Sequence, residues 1–503
     1  MPSTSELFDK LFESARKGQK MSVGETMIYL AWLKTLEDRE KAEMSAAQRL
    51  VDWYQRDREQ IVAHLRLVAG KTFPQNETKE WQFPVLNEVP RTIKRLSLAY
   101  KKPATRKLAR KGEELKPDAK EYELVFGENG MYRHIKIDRK MKELDRFSTL
   151  LNTVHAEVVP RKGAIDWDIR LRPSVMIVED PDDYLNFVKF AYRWAPLDPE
   201  TLKTRVGWVV WTAEHHMFIV DGEDKPIGMS KDDLSNPYAG EIPVVTVRKL
   251  ELDDYWGRFG ADLVDGIEAV NLQLANMWEN AFLQTHGMRF TINCGFTEGS
   301  VIKQGPKHGV DLDGLTADDM RPEFGYVKPD NDIPVVQDLI KFFLDTEGQG
   351  YGMPAGGWSE DQVPESGFAK FLKNIELLEN RDDDVQIWEE IEQQLFDKSR
   401  MVYNAYCKPS EKIPEDLELR VTYPEISFPE SPTEKDTRWM LRIKAGLASL
   451  VDYYMQEEGL DEEQALERAK KVAKHNAEIR EAAAPEYELP GSPRPGEEDG
   501  DEE

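Results

Sequence analysis

The stretch that decides the fold runs from Gly260 to Cys407 and opens with "ADLVDGIEAVNLQLANMWEN" (Ala261–Asn280). Leu263, Ile267, Val270, Leu274, Met277 and Ala281 alternate spacings of four and three, which predicts a helix with a heptad-like seam over about Ala261–His286. A Gly-rich segment with short strand candidates at Phe290–Asn293 and Phe324–Val327 follows. A second helix then leads into "DTEGQGYGMPAGGWSEDQVPESG" (Asp345–Gly367), which is too rich in Gly and Pro to be regular structure. A very long helix is predicted over about Gly367–Tyr406, with Phe368, Phe371, Ile375, Leu378, Val385, Trp388, Ile391 and Leu395 as its stripe and Asp382 as a break. The seam has two readings, packing within one core and packing between identical subunits. Nothing in the stretch has the pattern of a catalytic centre.

The whole chain has 503 residues, enough for several domains with ample core. Its apolar fraction of 40% suits a folded protein, and its net charge of −27 argues against a surface that clamps nucleic acid by counterion release. Passage of nucleic acid without a grip stays compatible with that charge. The two cysteines, Cys294 and Cys407, lie far apart, and two reduced thiols are the simpler expectation. No apolar run approaches the roughly 18 residues of a membrane span. The N-terminal residues lack the apolar core of a secretory signal. No membrane association and use in a cytoplasm, or inside a particle, are therefore expected.

Upstream, residues 1 to about 70 read as helical: a short helix at Leu7, Leu11 and Phe12, a second at Met27, Leu30 and Leu33, and a third over Ser45–Val68 with Ser45 as N-cap. Another amphipathic helix is expected over Val89–Pro103, and one over about Lys140–Val158. Ala164–Asp180 and Arg205–Met229 carry β-branched and aromatic runs, the second with a "DGED" turn signal for a hairpin. Asn236–Glu251 reads as a loop running into a strand, and Leu417–Tyr423 as a strand. Helices are expected at Thr437–Glu457 and Asp461–Ala483, before an acidic, disordered tail.

Two patterns invite chemistry and fail its requirements. His215 and His216 follow one another in a strand candidate, so they point to opposite faces and cannot jointly ligate a metal. The loop Gly348–Gly357 lacks the G-x-x-x-x-G-K-[ST] pattern and follows a helix, so it does not cradle a phosphate. No cofactor, metal site or catalytic residue is expected, and the protein is read as not an enzyme.

The order of segments resembles the portal proteins of tailed bacteriophages, the siphovirus-type head-to-tail connector rings. "RLVDWYQRDREQI" (Arg49–Ile61) and "VLNEVPRTIKRLSLAYKKPA" (Val85–Ala104) are similar to the family's first blocks. "NPYAGEIPVVTVR" (Asn236–Arg248) resembles the block before the stem, and Ala261–Asn280 the first stem helix. "PESGFAKFLKNIELLEN" (Pro364–Asn380) resembles the start of the long wing helix, and Gly446–Ile479 the C-terminal crown. Residues 105–235 match no block, and their place in the wing follows from position alone.

The resemblance implies an α+β portal fold, mainly helical, with long stem and wing helices, a mixed α/β wing and a small β-containing clip. On that map residues 1–260 are the N-terminal wing, 261–288 the first stem helix, 289–332 the clip and 333–347 the second stem helix. Residues 348–366 are the tunnel loop, 367–435 the long wing helix and wing strands, 436–485 the crown and 486–503 the acidic tail. It also implies a homo-oligomeric ring, usually of twelve, in the virion at one capsid vertex, assembled in the host cytoplasm. Double-stranded DNA would pass through it during packaging and ejection. The terminase large subunit, head-tail adaptor proteins, and the major capsid and scaffolding proteins would be partners. Tyr351, Met353, Pro354 and Trp358 would face DNA from the tunnel loop. Arg289, Lys303, Lys307, Arg321, Lys328 and Lys341 are candidate channel cations, and Leu263, Ile267, Val270, Leu274 and Met277 would pack subunits in the stem. The alternatives are another capsid or connector component and, from a different class, an acidic cytoplasmic α+β enzyme.

Overall fold

The computed structural model describes residues 23–72, 81–161, 163–197, 204–221, 227–229, 234–257, 260–286, 288–292, 323–327, 333–353, 375–426, 432–457 and 459–482. Two compact units emerge, residues 1–361 with 373–426, and residues 362–372 with 427–503. The expected short helix at Leu7–Phe12, the start of the long helix at Phe368 and Phe371, most of the clip with Cys294, and the acidic tail lie outside the described residues.

The larger unit is α+β. It begins with α1 (Val23–Gln55) and α2 (Arg58–Thr72), followed by α3 (Val89–Leu96), β1 (Thr105–Arg110), β2 (Glu113–Glu114), α4 (Lys120–Phe126) and α5 (Ile137–Leu151). Strands β3 (Thr153–Arg161), β4 (Ala164–Arg170), β5 (Val175–Asp180), β6 (Asp183–Trp194), β7 (Gly207–Trp211), β8 (His216–Val220), β9 (Ile227–Gly228) and β10 (Val244–Arg248) come next. The unit closes with α6 (Ala261–His286), β11 (Met288–Ile292), β12 (Glu323–Val327), α7 (Ile333–Gly350), α8 (Ile375–Tyr406) and β13 (Leu417–Thr422). The sheets have the orders β13-β1-β2, β10-β3-β4, β11-β12 and β5-β6-β7-β8-β9, all with antiparallel pairing. None of the described helices is long and apolar enough to cross a membrane.

The five-stranded sheet is apolar on both faces, and its strand period explains why. Val209, Trp211, Phe218 and Val220 point into the main core. Their neighbours Trp208, Val210, Met217 and Ile219 form a second core with Met176, Ala191 and Leu33 of α1. Leu33 thus seals the far face.

Helix α8 runs across the main core through Trp388, Ile391, Leu395, Phe396 and Val402, all buried. Buried polar groups fasten it. Glu392 is 2% exposed and accepts hydrogen bonds from Arg106 (Nε at 2.6 Å, Nη2 at 2.9 Å) and from the Tyr100 hydroxyl at 2.8 Å. Trp167 Nε1 donates to Ser399 Oγ at 2.9 Å.

Several expectations need correction. Ser45 is no N-cap, because α1 continues unbroken from Val23 to Gln55. The break falls at Arg56, in the left-handed region with φ of 62°, and Asp57 Oδ1 caps the next helix by accepting from Gln60 N at 3.3 Å. The helix expected over Lys140–Val158 stops at Leu151, because Asn152 takes φ of 63° and the β-branched run after it forms β3. The helix expected over Val89–Pro103 ends at Leu96. The Arg205–Met229 stretch turns twice: β7 and β8 are joined at Thr212–His215, where Thr212 Oγ1 accepts from the Glu214 and His215 amides, and β8 and β9 pair antiparallel on either side of the expected "DGED" segment.

Among the described residues, the smaller unit holds three helices, α9 (Pro432–Lys444), α10 (Leu450–Glu457) and α11 (Glu462–Ala482). The single helix expected over Thr437–Glu457 is two. Gly446 breaks it with φ of 72°, and Ser449 opens α10 with a reciprocal cap. Ser449 Oγ accepts from Asp452 N at 3.1 Å, and Asp452 Oδ2 accepts from Ser449 N at 2.7 Å. Trp439 is buried and donates through Nε1 to Glu457 at 2.9 Å, and Lys435 pairs with the same carboxylate.

Candidate functional site: a helical hairpin with an apolar exterior

The 26-residue α6 and the 18-residue α7 pack against each other as an antiparallel hairpin. At 1.5 Å per residue they are about 39 and 27 Å long. The two-stranded ribbon β11-β12, with Met288 opposite Val327, lies between them in sequence. The first turn of α6 meets the last turn of α7. The Tyr351 hydroxyl donates to Asp262 and accepts from Leu263 N at 3.2 Å. A Cβ on Gly266 would stand 2.9 Å from the Glu347 carboxylate, so only glycine fits this approach without displacement.

The start of α6 is welded to the body. Asn271 is fully buried, accepts from Leu86 N at 2.7 Å and donates to Leu86 O at 2.8 Å, so its amide pairs with an extended segment as a strand would. Glu268 is buried, accepts from Trp53 Nε1 at 2.9 Å and lies 3.3 Å from His64 Nε2. Arg49 pairs with Asp265. Leu263, Ile267 and Val270 are buried within the chain itself. That part of the seam is internal core packing, the first of the two readings, and does not present a face to another subunit. Leu274 and Met277 are half-buried, and Trp278 is 54% exposed.

Helix α7 shows the reverse. Ile340 is buried and Leu344 packs against the core. Its outer face carries Val335, Leu339, Phe342 and Phe343, spaced i, i+4, i+7 and i+8, with Phe342 at 63% and Val335 at 60% exposure. A helix apolar on opposite faces normally has both covered. This stripe was missed in the sequence reading, although "VVQDLIKFFL" (Val335–Leu344) has too many apolar residues for one face.

Of the tunnel-loop candidates, Tyr351 is half-buried and Met353 buried, both folded back on the hairpin. Gly352 makes the turn with φ of 67° beside Glu376 of α8. Pro354 and Trp358 lie outside the described residues, as do Lys303, Lys307, Arg321 and Lys328. Arg289 falls on β11, and Lys341 is exposed on α7 between Ile340 and Phe342. Burial, with Asp262 and Asp265 beside it, raises the pKa of Glu347. His216 is stacked on Trp211 with centroids 3.3 Å apart, and burial pushes it down to about 3. No group of three His, Cys, Asp or Glu side chains suited to a metal occurs among the described residues.

The sequence matches no protein-family profile and no curated protein. Two solved structures to which the chain shows similarity are chains from gene transfer agent (GTA) particles. One is from the neck of an empty particle computed with C6 symmetry, at 12% identity and a TM-score of 0.40, covering 74% of this chain and 90% of that one. The other is from the virion of a native particle, at 13% identity and a TM-score of 0.37, covering 78% of this chain and 98% of that one.

Proposed function

We propose that this protein is the subunit of a portal ring, the channel at one vertex of a capsid through which double-stranded DNA is packaged and ejected. The observation that carries the reading is the α6–α7 hairpin with an apolar exterior on α7. A closed ring joins one patch of each subunit to a different patch of the next, so each copy must leave unburied surface of this kind. Phe342 and Phe343 are 63% and 47% exposed, so burying the rest of the two rings contributes about 2–3 kcal/mol per interface. The sequence resemblance supports the same assignment: α6 and α7 are the stem, the ribbon β11-β12 belongs to the clip, and the sheets with α8 form the wing.

In this reading the protein performs no chemistry. The motor is a separate ATPase, the terminase large subunit, which docks on the clip, and head-tail adaptors later take its place. Major capsid and scaffolding proteins meet the outer surface. The net charge of −27 per chain repels the phosphate backbone and keeps DNA sliding instead of bound. Arg289 and Lys341 are the described candidates for cations that offset this repulsion locally.

Sedimentation and negative-stain imaging test the assignment. The expected result is rings with a central hole, at about twelve times the 58.0 kDa of one chain. A monomer or dimer at high concentration would overturn it.

A further inference from the structure

A groove of about 850 Å³ runs between β10, the start of β6 and the outer face of α8. Its walls are two open strand edges. β10 is the terminal strand of its sheet, bonded only to β3 among the described strands. Val158 N donates to Pro243 O at 2.8 Å, and Lys249 N to Asn152 O at 3.2 Å. The antiparallel alternation therefore turns the odd-numbered residues of this segment toward β3 and leaves the amides and carbonyls of Val244, Thr246 and Arg248 facing away. Those three residues line the groove. Across it, β6 pairs with β7 only over Phe190–Trp194, so Leu185–Val188 has no partner strand on that side among the described residues. Arg248 Nη2 spans the two walls by donating to Leu185 O at 3.2 Å.

The lining sorts by position. Phe187, Ile242, Ile387 and Ile391 give it apolar surface. Of the carboxylates Asp183, Glu241, Glu251, Glu390 and Asp397, Glu241 pairs with Lys398 and Asp397 with Arg400 at 2.7 Å, which leaves Asp183, Glu251 and Glu390 facing Arg248. Glu251 and Glu390 are exposed. An unprotected strand edge is an invitation to strand addition, which natural proteins normally blunt or cover. The charge excess selects what covers this one.

We propose that this groove takes an extended, cationic segment of a partner protein, added as a strand to the free edge of β10. Main-chain bonds to Val244, Thr246 and Arg248 hold it in register, over the roughly 17 Å that five strand residues span. Alternate side chains of the guest meet the apolar residues and the carboxylates. Nucleic acid and acidic segments are repelled by the same carboxylates.

Fluorescently labelled peptides test this on the full chain. A peptide alternating Lys and Val is expected to bind at least about tenfold more tightly than one alternating Glu and Val, with affinity falling as salt rises. N-methylation of one set of alternate amides is expected to abolish binding, and methylation of the other set to leave it intact, because only one edge pairs. Glu251→Lys with Glu390→Lys is expected to weaken the Lys-Val peptide at least about tenfold with an unchanged melting temperature. Equal binding of both peptides, equal effects of the two methylation patterns, or indifference to charge reversal would overturn the proposal. A charge reversal that instead disperses an assembly of the chain would assign the groove to a second copy, and overturn it equally.

Discussion

The sheet body with α8 and the α6–α7 hairpin solve the problem of burial in opposite ways within one unit. In the body, aromatic residues such as Trp167, Phe190, Trp388 and Phe396 are covered, and buried polar groups on α8 reach partners: Glu392 has Arg106 and Tyr100, and Ser399 has Trp167. In the hairpin, buried polar anchors stop near the body at Glu268 and Asn271, and beyond them aromatic side chains stand in solvent. The body closes its apolar core within the chain, whereas the hairpin leaves an apolar face uncovered. The difference separates residues whose loss unfolds the chain from residues whose loss affects what the chain joins.

The largest expected effect lies on the unfinished side. Phe342→Asp with Phe343→Asp should disperse the assembly, shifting its equilibrium by at least about 100-fold, since about 1.4 kcal/mol is a factor of ten. The monomer should keep its circular dichroism and melting temperature, because neither ring belongs to the core. Analytical ultracentrifugation reads the first quantity and a thermal melt the second. Intact assemblies would break the comparison at its root, and a collapsed melt would show that the stripe supports the fold.

On the covered side, Glu392→Ala should cost about 3–4 kcal/mol in urea unfolding, because it leaves Nε and Nη2 of the buried Arg106 without a carboxylate, its remaining partners being Asp138 at 2.7 Å and the Ala104 carbonyl at 3.3 Å, both on Nη1. Assembly measured at a temperature where the variant is folded should be unchanged. A cost under about 1 kcal/mol would show that water reaches Arg106, and that the body is less sealed than its burial implies.

A third test concerns a flaw in the sealed body. Asp145 is buried, 3.6 Å from Lys249, which lies closer to Asp384 of α8. Burial, only partly offset by Lys249 and worsened by Asp384, pushes Asp145 up to about 6, from 3.8. Its folded pKa lies above the unfolded one, so the stability it contributes is fully present below pH 3.8 and is lost as the pH rises through 6. The loss amounts to about 3 kcal/mol at most. Asp145→Asn should remove this component, so that the stability gap between variant and parent changes between pH 4 and 7.5 in the variant's favour. Parallel curves over that range would show that Asp145 is ionised throughout.

What the sequence made legible follows the same division. The stripe of α8 from Trp388 to Leu395, the hairpin of long helices and the strands at Phe290 and Phe324 all carry a strong local period. Elements set by a single backbone reversal were not legible: Arg56 and Asn152 each end a helix whose side-chain pattern continues past them. The pairing of β1 with β13, more than 300 residues apart, has no local signal at all. The hairpin's own inside and outside were half-visible. The seam of α6 marked Leu263, Ile267 and Val270, but choosing core over neighbour needed Asn271 and Glu268 against the body. On α7 two apolar faces compete, and only the packing of Ile340 and Leu344 against the body shows which one turns inward, close to where Gly266 approaches Glu347.

That approach supplies the smallest test. Gly266 is helical, so alanine there gains up to about 1 kcal/mol of helix propensity. Its Cβ would meet the Glu347 carboxylate at 2.9 Å, the far end of a flexible side chain that can swing away. Glu347 loses little by moving, since it is desolvated and faces Asp262 and Asp265. Gly266→Ala should therefore stabilise the chain by about 0.5–1 kcal/mol and lower the Glu347 pKa toward its ordinary value. Chemical denaturation reads the first, and a carboxyl titration by NMR the second. A destabilisation of more than about 1 kcal/mol would mean that the two helices cannot give at this point, and that the hairpin is as tightly finished at its junction with the body as the body itself.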